Sequence, residues 1–282
     1  LYNKTANFEL ATENNEALVL HTSGTTSRPK VVPLTNKNIF SSATNIANSL
    51  QLSSQDHCYN IMPLFHIHGL IAVLSSSINA GASVYASGGF NALKFLETAN
   101  KETITWYSGV PTMHQAILMR AKKNPKLAEE LALRFIRSSS ASLPPAVFDE
   151  LKKIFKTTVI EAYGMTEATH QMTSNPMFPG KQKAGFVGKP AGPEVCIMDA
   201  QGNKLDSGVD GEVCIRGDNV TNGYENNEEA NKTAFINGWF RTGDQGHFDD
   251  EGYLKISGRL KEIINRGCLL YTSDAADELL GV

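Results

Sequence analysis

The stretch Ala17-Leu18-Val19-Leu20-His21-Thr22-Ser23-Gly24-Thr25-Thr26-Ser27-Arg28-Pro29-Lys30 joins an apolar run to a loop rich in hydroxyl groups. Backbone N–H groups, rotatable hydroxyls and one ammonium are the groups that bind a polyphosphate. The Walker pattern needs a glycine before the lysine and Ser or Thr after it, whereas Pro29 and Val31 stand there. The stretch therefore predicts a strand followed by a nucleotide-phosphate loop of another kind. An ordinary solvated turn stays open as the alternative.

Outward from this loop, apolar runs of strand length alternate with segments of helical spacing. Such alternation predicts an α/β fold, a parallel sheet with helices on both faces, in which ligands bind at the carboxyl ends of the strands. Polar stretches follow three predicted strands: the hydroxyl loop, Ser138–Ser140 and Glu161–Thr169. We expect these three loops to converge on one cleft. The predicted strands are 17–20, 83–86, 104–107, 135–138, 158–160 and one ending at 61–63; the predicted helices are 35–50 (capped by Thr35), 67–80 (closed by Gly81), 92–100, 144–155 and one with Pro111 in its first turn.

From about residue 185 the helical periodicity ends, and short apolar runs alternate with turns rich in Gly and Asp. The runs 194–198, 212–216 and 253–256 predict antiparallel strands of a smaller β-rich subdomain. We divide the chain into an α/β nucleotide-binding part (1–184), the β-rich subdomain (185–257), a hinge to a further domain (258–267) and a tail (268–282).

The composition is that of an ordinary globular protein, with 41% hydrophobic and 20% charged residues. A net charge of -3 gives no argument for nucleic acid or an anionic membrane as partner. No apolar run approaches the length of a membrane span. The four cysteines lack metal-binding spacing and predict free thiols in a reducing compartment, cytoplasmic or peroxisomal.

Four further segments carry groups that fit a nucleotide and an acid. Glu161–Glu167 combines an aromatic ring, a hydroxyl and a carboxylate, and Arg241–Asp244 offers a carboxylate at a predicted glycine turn. Gly258–Glu262 holds an arginine and a lysine, and Pro63–Gly69 holds two histidines. Taken singly, each is equally an ordinary turn or core element. Their order and spacing together are distinctive.

Together these motifs resemble the adenylate-forming superfamily, which includes acyl-CoA synthetases, luciferases and the adenylation domains of peptide synthetases. The resemblance covers about residues 17–267. The segments Pro63–Gly69, Ile136–Pro144 and Glu161–Pro176 are most similar to the plant and fungal branch typified by oxalate–CoA ligase. The resemblance implies an ATP-dependent acid–CoA ligase that forms an acyl-adenylate and then a thioester. It also implies ATP, Mg²⁺ and coenzyme A as cofactors and a small carboxylic acid as substrate.

The resemblance implies a role for each motif residue. The phosphate loop would comprise Thr22, Ser23, Gly24, Thr25, Thr26 and Lys30. The pocket for adenine and the acyl group would be bordered by Ser139, Ser140, Ala141, Glu161, Ala162, Gly164 and Tyr163, with the Tyr163 ring on the base. Thr166 would contact the α-phosphate, Glu167 would hold Mg²⁺, and Asp244 with Arg259 would bind the ribose. Lys261 would lie at the hinge, and Lys30, Thr166, Glu167 and His66 would form the catalytic set.

The acid is predicted from the polar residues that follow Glu167. His170, with His66 and Ser140, is expected to bind the second carboxylate of a short diacid, and the resemblance to oxalate–CoA ligases makes oxalate our prediction. A structural His170 that packs away from the site is the alternative. An aromatic- or fatty-acid ligase, and a non-catalytic nucleotide-binding module, are the competing functions.

The sequence departs from the family after Gly267, where Cys268 begins a segment unlike any family motif. We expect this tail to be foreign sequence read through from an adapter, with a divergent native end as the alternative. We also expect flanking parts of the family's fold to lie outside the chain. We then expect this chain alone to bind nucleotide weakly, to show little or no ligase turnover and to expose apolar surface.

Overall fold

The computed structural model describes residues 10–22, 29–260, 263–266 and 269–272, the last two stretches as backbone only. The predicted site residues Ser23, Gly24, Thr25, Thr26 and Lys261, together with Cys268, lie outside the described residues.

The strands, in chain order, are β1 Glu16–His21, β2 Val31–Thr35, β3 His57–Asn60, β4 Ser83–Ala86, β5 Trp106–Gly109, β6 Phe135–Ser138, β7 Thr158–Met165, β8 His170–Ser174, β9 Lys189–Pro190, β10 Glu194–Met198, β11 Gly211–Arg216, β12 Phe235–Ile236, β13 Trp239–Phe248, β14 Leu254–Arg259, β15 Ile263–Arg266 and β16 Leu269–Thr272. The helices are α1 Asn36–Ser49, α2 Ser76–Asn79, α3 Phe95–Lys101, α4 Pro111–Lys123, α5 Pro125–Glu129, α6 Pro145–Phe155 and α7 Glu228–Ala234. A π-helical segment, His68–Ser75, precedes α2, and a 3₁₀ turn, Thr166–Ala168, separates β7 from β8. Each helix of the described stretches is too short or too polar to cross a bilayer.

The central sheet has the order β4-β3-β5-β6-β7-β8-β9 and is parallel from β4 to β7. Strands β5 and β6 are buried along their whole length, as expected for a parallel sheet covered on both faces. Trp106 and Phe135 pack on the side of α1 and the π-helical segment. Their neighbours Tyr107 and Ile136 pack on the side of α3 to α6. The predicted α/β sheet with helices on both faces is confirmed.

Helix α1 begins where the sequence predicts. The Thr35 hydroxyl accepts from the Asn38 N–H at 3.2 Å, and the Asn38 side chain accepts from the Thr35 N–H at 2.8 Å, which forms a capping box. The predicted helix 67–80 is present but winds as a π-helix through Ser75 and becomes α-helical only at Ser76.

Two predictions about strand ends are wrong. Strand β1 is not part of the parallel sheet: it pairs antiparallel with β2, so the hydroxyl loop joins the strands of a hairpin. The segment Glu161–Thr169 is not a loop, because β7 runs on to Met165 and its outer half pairs antiparallel with β8. Polar and glycine-rich residues resemble a loop in sequence, but here the backbone groups of β7 are satisfied by a neighbouring strand.

The second sheet is antiparallel, with the order β10-β11-β13-β12 and β14 paired to β13. It confirms the smaller β-rich subdomain, while the residue boundaries of the division stay predictions. The segment Arg241–Asp244 is not a turn, because it lies inside the long strand β13. Gly243 has a φ of +74°, a backbone conformation that glycine adopts readily, and this lets the strand bend beside Asp244.

Candidate active site

The site lies at the carboxyl ends of β5, β6 and β7. Gly109, Ser138 and Glu161 are register partners across these strands. Just beyond them, the Ser139 N–H donates to the Gly109 carbonyl at 3.2 Å, and the Ser139 hydroxyl donates to the Ala162 carbonyl at 2.8 Å. These bonds fix the turn that carries Ser140 and Ala141 next to β7.

One cluster of predicted nucleotide-binding residues joins the two sheets. Asp244 on β13 is opposite Arg259 on β14, and the Arg259 Nε donates to Asp244 Oδ1 at 2.5 Å. The Tyr163 hydroxyl on β7 donates to Asp244 Oδ2. Burial, together with the Asp244 charge, raises the pKa of Tyr163 well above its usual value. The structure therefore brings the predicted adenine and ribose residues into direct contact.

A second cluster contains the predicted metal ligand. Glu167 is 7% exposed, and its Oε1 accepts a hydrogen bond from the Tyr224 hydroxyl at 2.8 Å. Burial raises the pKa of Glu167, and the Tyr224 hydrogen bond and the Lys30 charge oppose that rise. Lys30 Nζ lies 4.4 Å from the centre of the Tyr224 ring. Lys30 thus contacts the ring and Glu167 the hydroxyl of one residue, Tyr224, which the sequence analysis missed.

The chemistry of this cluster fits Mg²⁺ bound to a nucleotide. Magnesium is commonly held by one or two carboxylates together with phosphate oxygens and water. No group of three or more His, Cys, Asp or Glu side chains that could hold a metal ion occurs within the described residues. One buried carboxylate beside a lysine suits a metal that arrives with ATP.

The ends of the predicted phosphate loop are held together. The Thr22 N–H donates to the Lys30 carbonyl at 2.9 Å.

Thr166 begins the 3₁₀ turn that carries Glu167, and its carbonyl accepts from the Thr169 N–H at 3.0 Å. Glycine is required at position 164 on β7, because a Cβ there would lie 1.8 Å from the His170 carbonyl oxygen on the neighbouring strand β8.

The predicted diacid residues meet through a histidine that the sequence analysis did not select. His68 is fully buried; its Nδ1 lies 3.0 Å from the Ser140 hydroxyl and its Nε2 2.7 Å from the Ser108 hydroxyl. The ring centre of His170 lies 5.0 Å from that of His68. His66 instead accepts, through Nδ1, a hydrogen bond from the His68 backbone N–H at 3.1 Å.

Arg137 lies beneath these imidazoles and is also fully buried. Its guanidinium donates to the Ser108 hydroxyl at 3.3 Å and to Gln171 Oε1 at 3.2 Å, and Nη2 lies 3.5 Å from His170 Nδ1. Its Nε has no hydrogen-bond partner in the part of the chain that the structure describes. Burial lowers the pKa of Arg137 to about 9 and that of His68 and His170 well below the usual value.

A fully buried guanidinium that has no carboxylate partner among the described residues is unusual, because a buried charge is costly unless it is paired. An arginine inside the short run 135–138, which the sequence predicts as a strand of the central sheet, was the signal that could have identified it.

Glu161, predicted to border the nucleotide, ties β7 to the segment that follows β8. Its Oε1 accepts from the Gly185 N–H at 2.9 Å, and its backbone carbonyl accepts from the Asn175 N–H at 2.8 Å. Burial raises the pKa of Glu161 from 4.5 to about 7. The folded state therefore holds this proton more tightly than the unfolded chain.

This shift predicts that the free energy of unfolding contributed by Glu161 falls as the pH rises from about 4.5 to about 7. The total loss is on the order of 3 kcal/mol. Glu161→Gln removes the titration, so the variant should become more stable relative to wild type as the pH rises. Scanning calorimetry of both proteins between pH 5 and pH 8 measures this difference. A constant difference in melting temperature across that range would contradict the prediction.

Comparison with known proteins gives consistent matches. Residues 3–225 match the family described as AMP-binding enzyme. The chain is 53% identical over 254 residues to an oxalate–CoA ligase of Arabidopsis thaliana, covering 89% of this chain and 49% of the relative. It is 51% identical over 259 residues to an oxalate–CoA ligase of Saccharomyces cerevisiae, covering 91% and 47%.

A solved malonyl-CoA ligase, a ternary product complex with methylmalonyl-CoA and AMP bound, superposes with a TM-score of 0.85 at 32% identity. The match covers 97% of this chain and 59% of that one. The chain spans about half the length of the curated relatives it matches.

Proposed function

The chain belongs to the AMP-binding enzyme family, and on that premise we propose that the protein containing it is an ATP-dependent acid–CoA ligase that acts on oxalate. The reaction joins a carboxylate to AMP with release of pyrophosphate, and coenzyme A then displaces the AMP. In this proposal the chain supplies most of the nucleotide site. The family's further domain, the hinge at Lys261 and the tunnel for coenzyme A stay predictions, as does a cytoplasmic or peroxisomal location.

The observation that carries the proposal is that two clusters are built on one short stretch of chain, from Tyr163 at the end of β7 to Glu167 in the 3₁₀ turn. Tyr163, Asp244 and Arg259 form one, and Lys30 and Glu167 flank Tyr224 in the other. The first offers a ring and a carboxylate for a nucleoside, and the second an ammonium and a carboxylate for phosphates and a cation. A nucleoside triphosphate needs both kinds of group in one site, because its base and ribose bind to one cluster and its phosphates to the other.

The chemistry follows from these groups. An ionised carboxylate of the acid attacks the α-phosphorus of ATP, the bond to the pyrophosphate oxygen breaks, and no general base is needed. Lys30 and the Thr166 hydroxyl stabilise negative charge on the phosphate oxygens, which is the main demand of phosphoryl transfer. Mg²⁺ held by Glu167 would neutralise further phosphate charge when bound.

The buried group of Arg137, His68 and His170 supports a diacid. Oxalate keeps a second carboxylate when the first reacts, and a buried guanidinium with an unpaired Nε offers it a charged partner. An apolar acid would leave this cation unpaired, which penalises binding strongly. The names of the Arabidopsis and yeast relatives point the same way.

A comparison of acids tests the substrate. ATP–pyrophosphate exchange by the full-length protein is measured with oxalate, malonate, acetate, 4-coumarate and octanoate. We expect the highest kcat/KM with oxalate. Faster exchange with 4-coumarate or octanoate would contradict the diacid proposal and favour the aromatic- or fatty-acid alternative.

A further inference from the structure

A single segment, Asn219–Glu225, connects the phosphate-loop hairpin to the turn that carries Glu167. On the side of Glu167, the Thr221 N–H donates to the Glu167 carbonyl at 2.8 Å, and the Asn219 side chain donates to the Ala168 carbonyl at 2.8 Å. On the hairpin side, the Glu225 N–H donates to the Val31 carbonyl at 3.0 Å. The Thr221 hydroxyl donates to the Pro33 carbonyl at 3.0 Å.

Tyr224, on this segment, contacts both charged groups of the site. Its hydroxyl donates to Glu167 Oε1 at 2.8 Å, and its ring lies 4.4 Å from Lys30 Nζ. The hydroxyl contact orients a carboxylate, and the ring contact is a cation–π interaction. One side chain therefore touches both the predicted metal ligand and the predicted phosphate lysine.

The position of Tyr224 is fixed independently of these contacts. Its backbone N–H donates to Asn231 Oδ1 at 2.8 Å, and its carbonyl accepts from Asn231 Nδ2 at 2.8 Å. Its ring packs edge-on to Phe240 with 6.3 Å between ring centres. The tyrosine is 7% exposed. Asn231 therefore fixes the backbone of Tyr224 and Phe240 supports its ring, so the tyrosine can position its neighbours.

We propose that Tyr224 is a positioning residue that holds Glu167 and Lys30 apart and orients both toward the metal–triphosphate complex. An ammonium and a carboxylate that contact the same side chain would otherwise pair with each other, because opposite charges attract strongly in a buried site. The ring gives the ammonium a partner that does not neutralise it. The hydroxyl directs one carboxylate oxygen and leaves the other for the cation. This inference rests on the proposed function.

Two variants separate the hydroxyl from the ring. Tyr224→Phe keeps the ring beneath Lys30 and against Phe240 but removes the hydrogen bond to Glu167. Tyr224→Leu removes both contacts. Tyr253→Phe is the matched control, because it also removes a buried hydroxyl, one that donates to the Lys181 carbonyl at 2.7 Å.

The readout is binding of α,β-methylene ATP, which cannot release pyrophosphate, to the full-length protein by calorimetry over a series of Mg²⁺ concentrations. Tyr224→Phe should raise the Mg²⁺ concentration for half-maximal binding about tenfold to a hundredfold, the effect of losing one hydrogen bond to a charged group. It should leave the Mg²⁺-independent affinity unchanged. Tyr224→Leu should weaken that affinity too, by about threefold or more, because Lys30 loses its ring partner. Tyr253→Phe should change neither value.

The outcomes separate this inference from the proposed function. An unchanged Mg²⁺ requirement in Tyr224→Phe, with wild-type exchange activity present, would overturn the role of Tyr224 alone. A lower melting temperature with the same Mg²⁺ requirement would also overturn it, since that is the result of a purely structural role. Failure of the wild-type protein to bind the analogue or to exchange pyrophosphate would instead contradict the proposed function.

Discussion

Glu167→Gln is expected to lower oxalate-dependent ATP–pyrophosphate exchange by about a hundredfold or more, as loss of a charged group at the transferring phosphate does in other enzymes. The amide has the same volume and can still accept the hydrogen bond from the Tyr224 hydroxyl. The variant should therefore fold normally and lose only the charge. Steady-state exchange kinetics at saturating Mg²⁺ measure the effect.

The control is Glu129→Gln, which removes the charge of an exposed glutamate paired to Lys156. It should leave exchange unchanged, because exposed ion pairs contribute little. This comparison also decides between an enzyme and a non-catalytic nucleotide-binding module. Retention of most function in Glu167→Gln would favour the module.

Arg137→Met is expected to change which acid the protein prefers. Exchange with oxalate should fall about a hundredfold to a thousandfold relative to exchange with acetate, because the second carboxylate loses its charged partner. The substitution removes a fully buried cation and replaces it with an apolar side chain of similar length, so the fold should tolerate it. Comparing kcat/KM for the two acids in one preparation cancels differences in the amount of folded protein.

Arg134→Met is the matched control on the preceding segment of the same chain. Arg134 pairs with Asp56 at 2.9 Å, at the opposite, amino-terminal end of the strands. Its loss should lower stability but leave the ratio of oxalate to acetate unchanged. An unchanged ratio in Arg137→Met as well would show that the buried guanidinium does not select the acid.

The sequence predicted features that short stretches determine by themselves. The cap at Thr35 and the strands at 83–86 and 135–138 agree with the structure. Membership of the AMP-binding enzyme family is confirmed, and it could be predicted because several motifs of unusual chemistry stand together in this sequence. Tyr163, Asp244 and Arg259 could be named before their contact was known, although Tyr163 and Asp244 are 81 residues apart.

The missed features depend on contacts between distant residues. Strand β1 looked like a member of the parallel sheet, and only its pairing with β2 shows the hairpin. Tyr224 gave no signal, because its role comes from Glu167, 57 residues earlier. His68 was not selected although it stands in the same motif as His66, because its burial between Ser108 and Ser140 is a tertiary property; the role of His66 stays a prediction. Whether the tail from Cys268 is foreign stays a prediction.

The most direct test of the central claim is the fate of a carboxylate oxygen. The full-length protein is incubated with ATP, coenzyme A, Mg²⁺ and oxalate labelled with ¹⁸O in both carboxylates, and the products are examined by mass spectrometry. Attack of oxalate on the α-phosphorus, followed by thioester formation, predicts AMP that carries one ¹⁸O atom, together with unlabelled pyrophosphate. Label in inorganic phosphate with formation of ADP, or AMP without label, would contradict the adenylation mechanism.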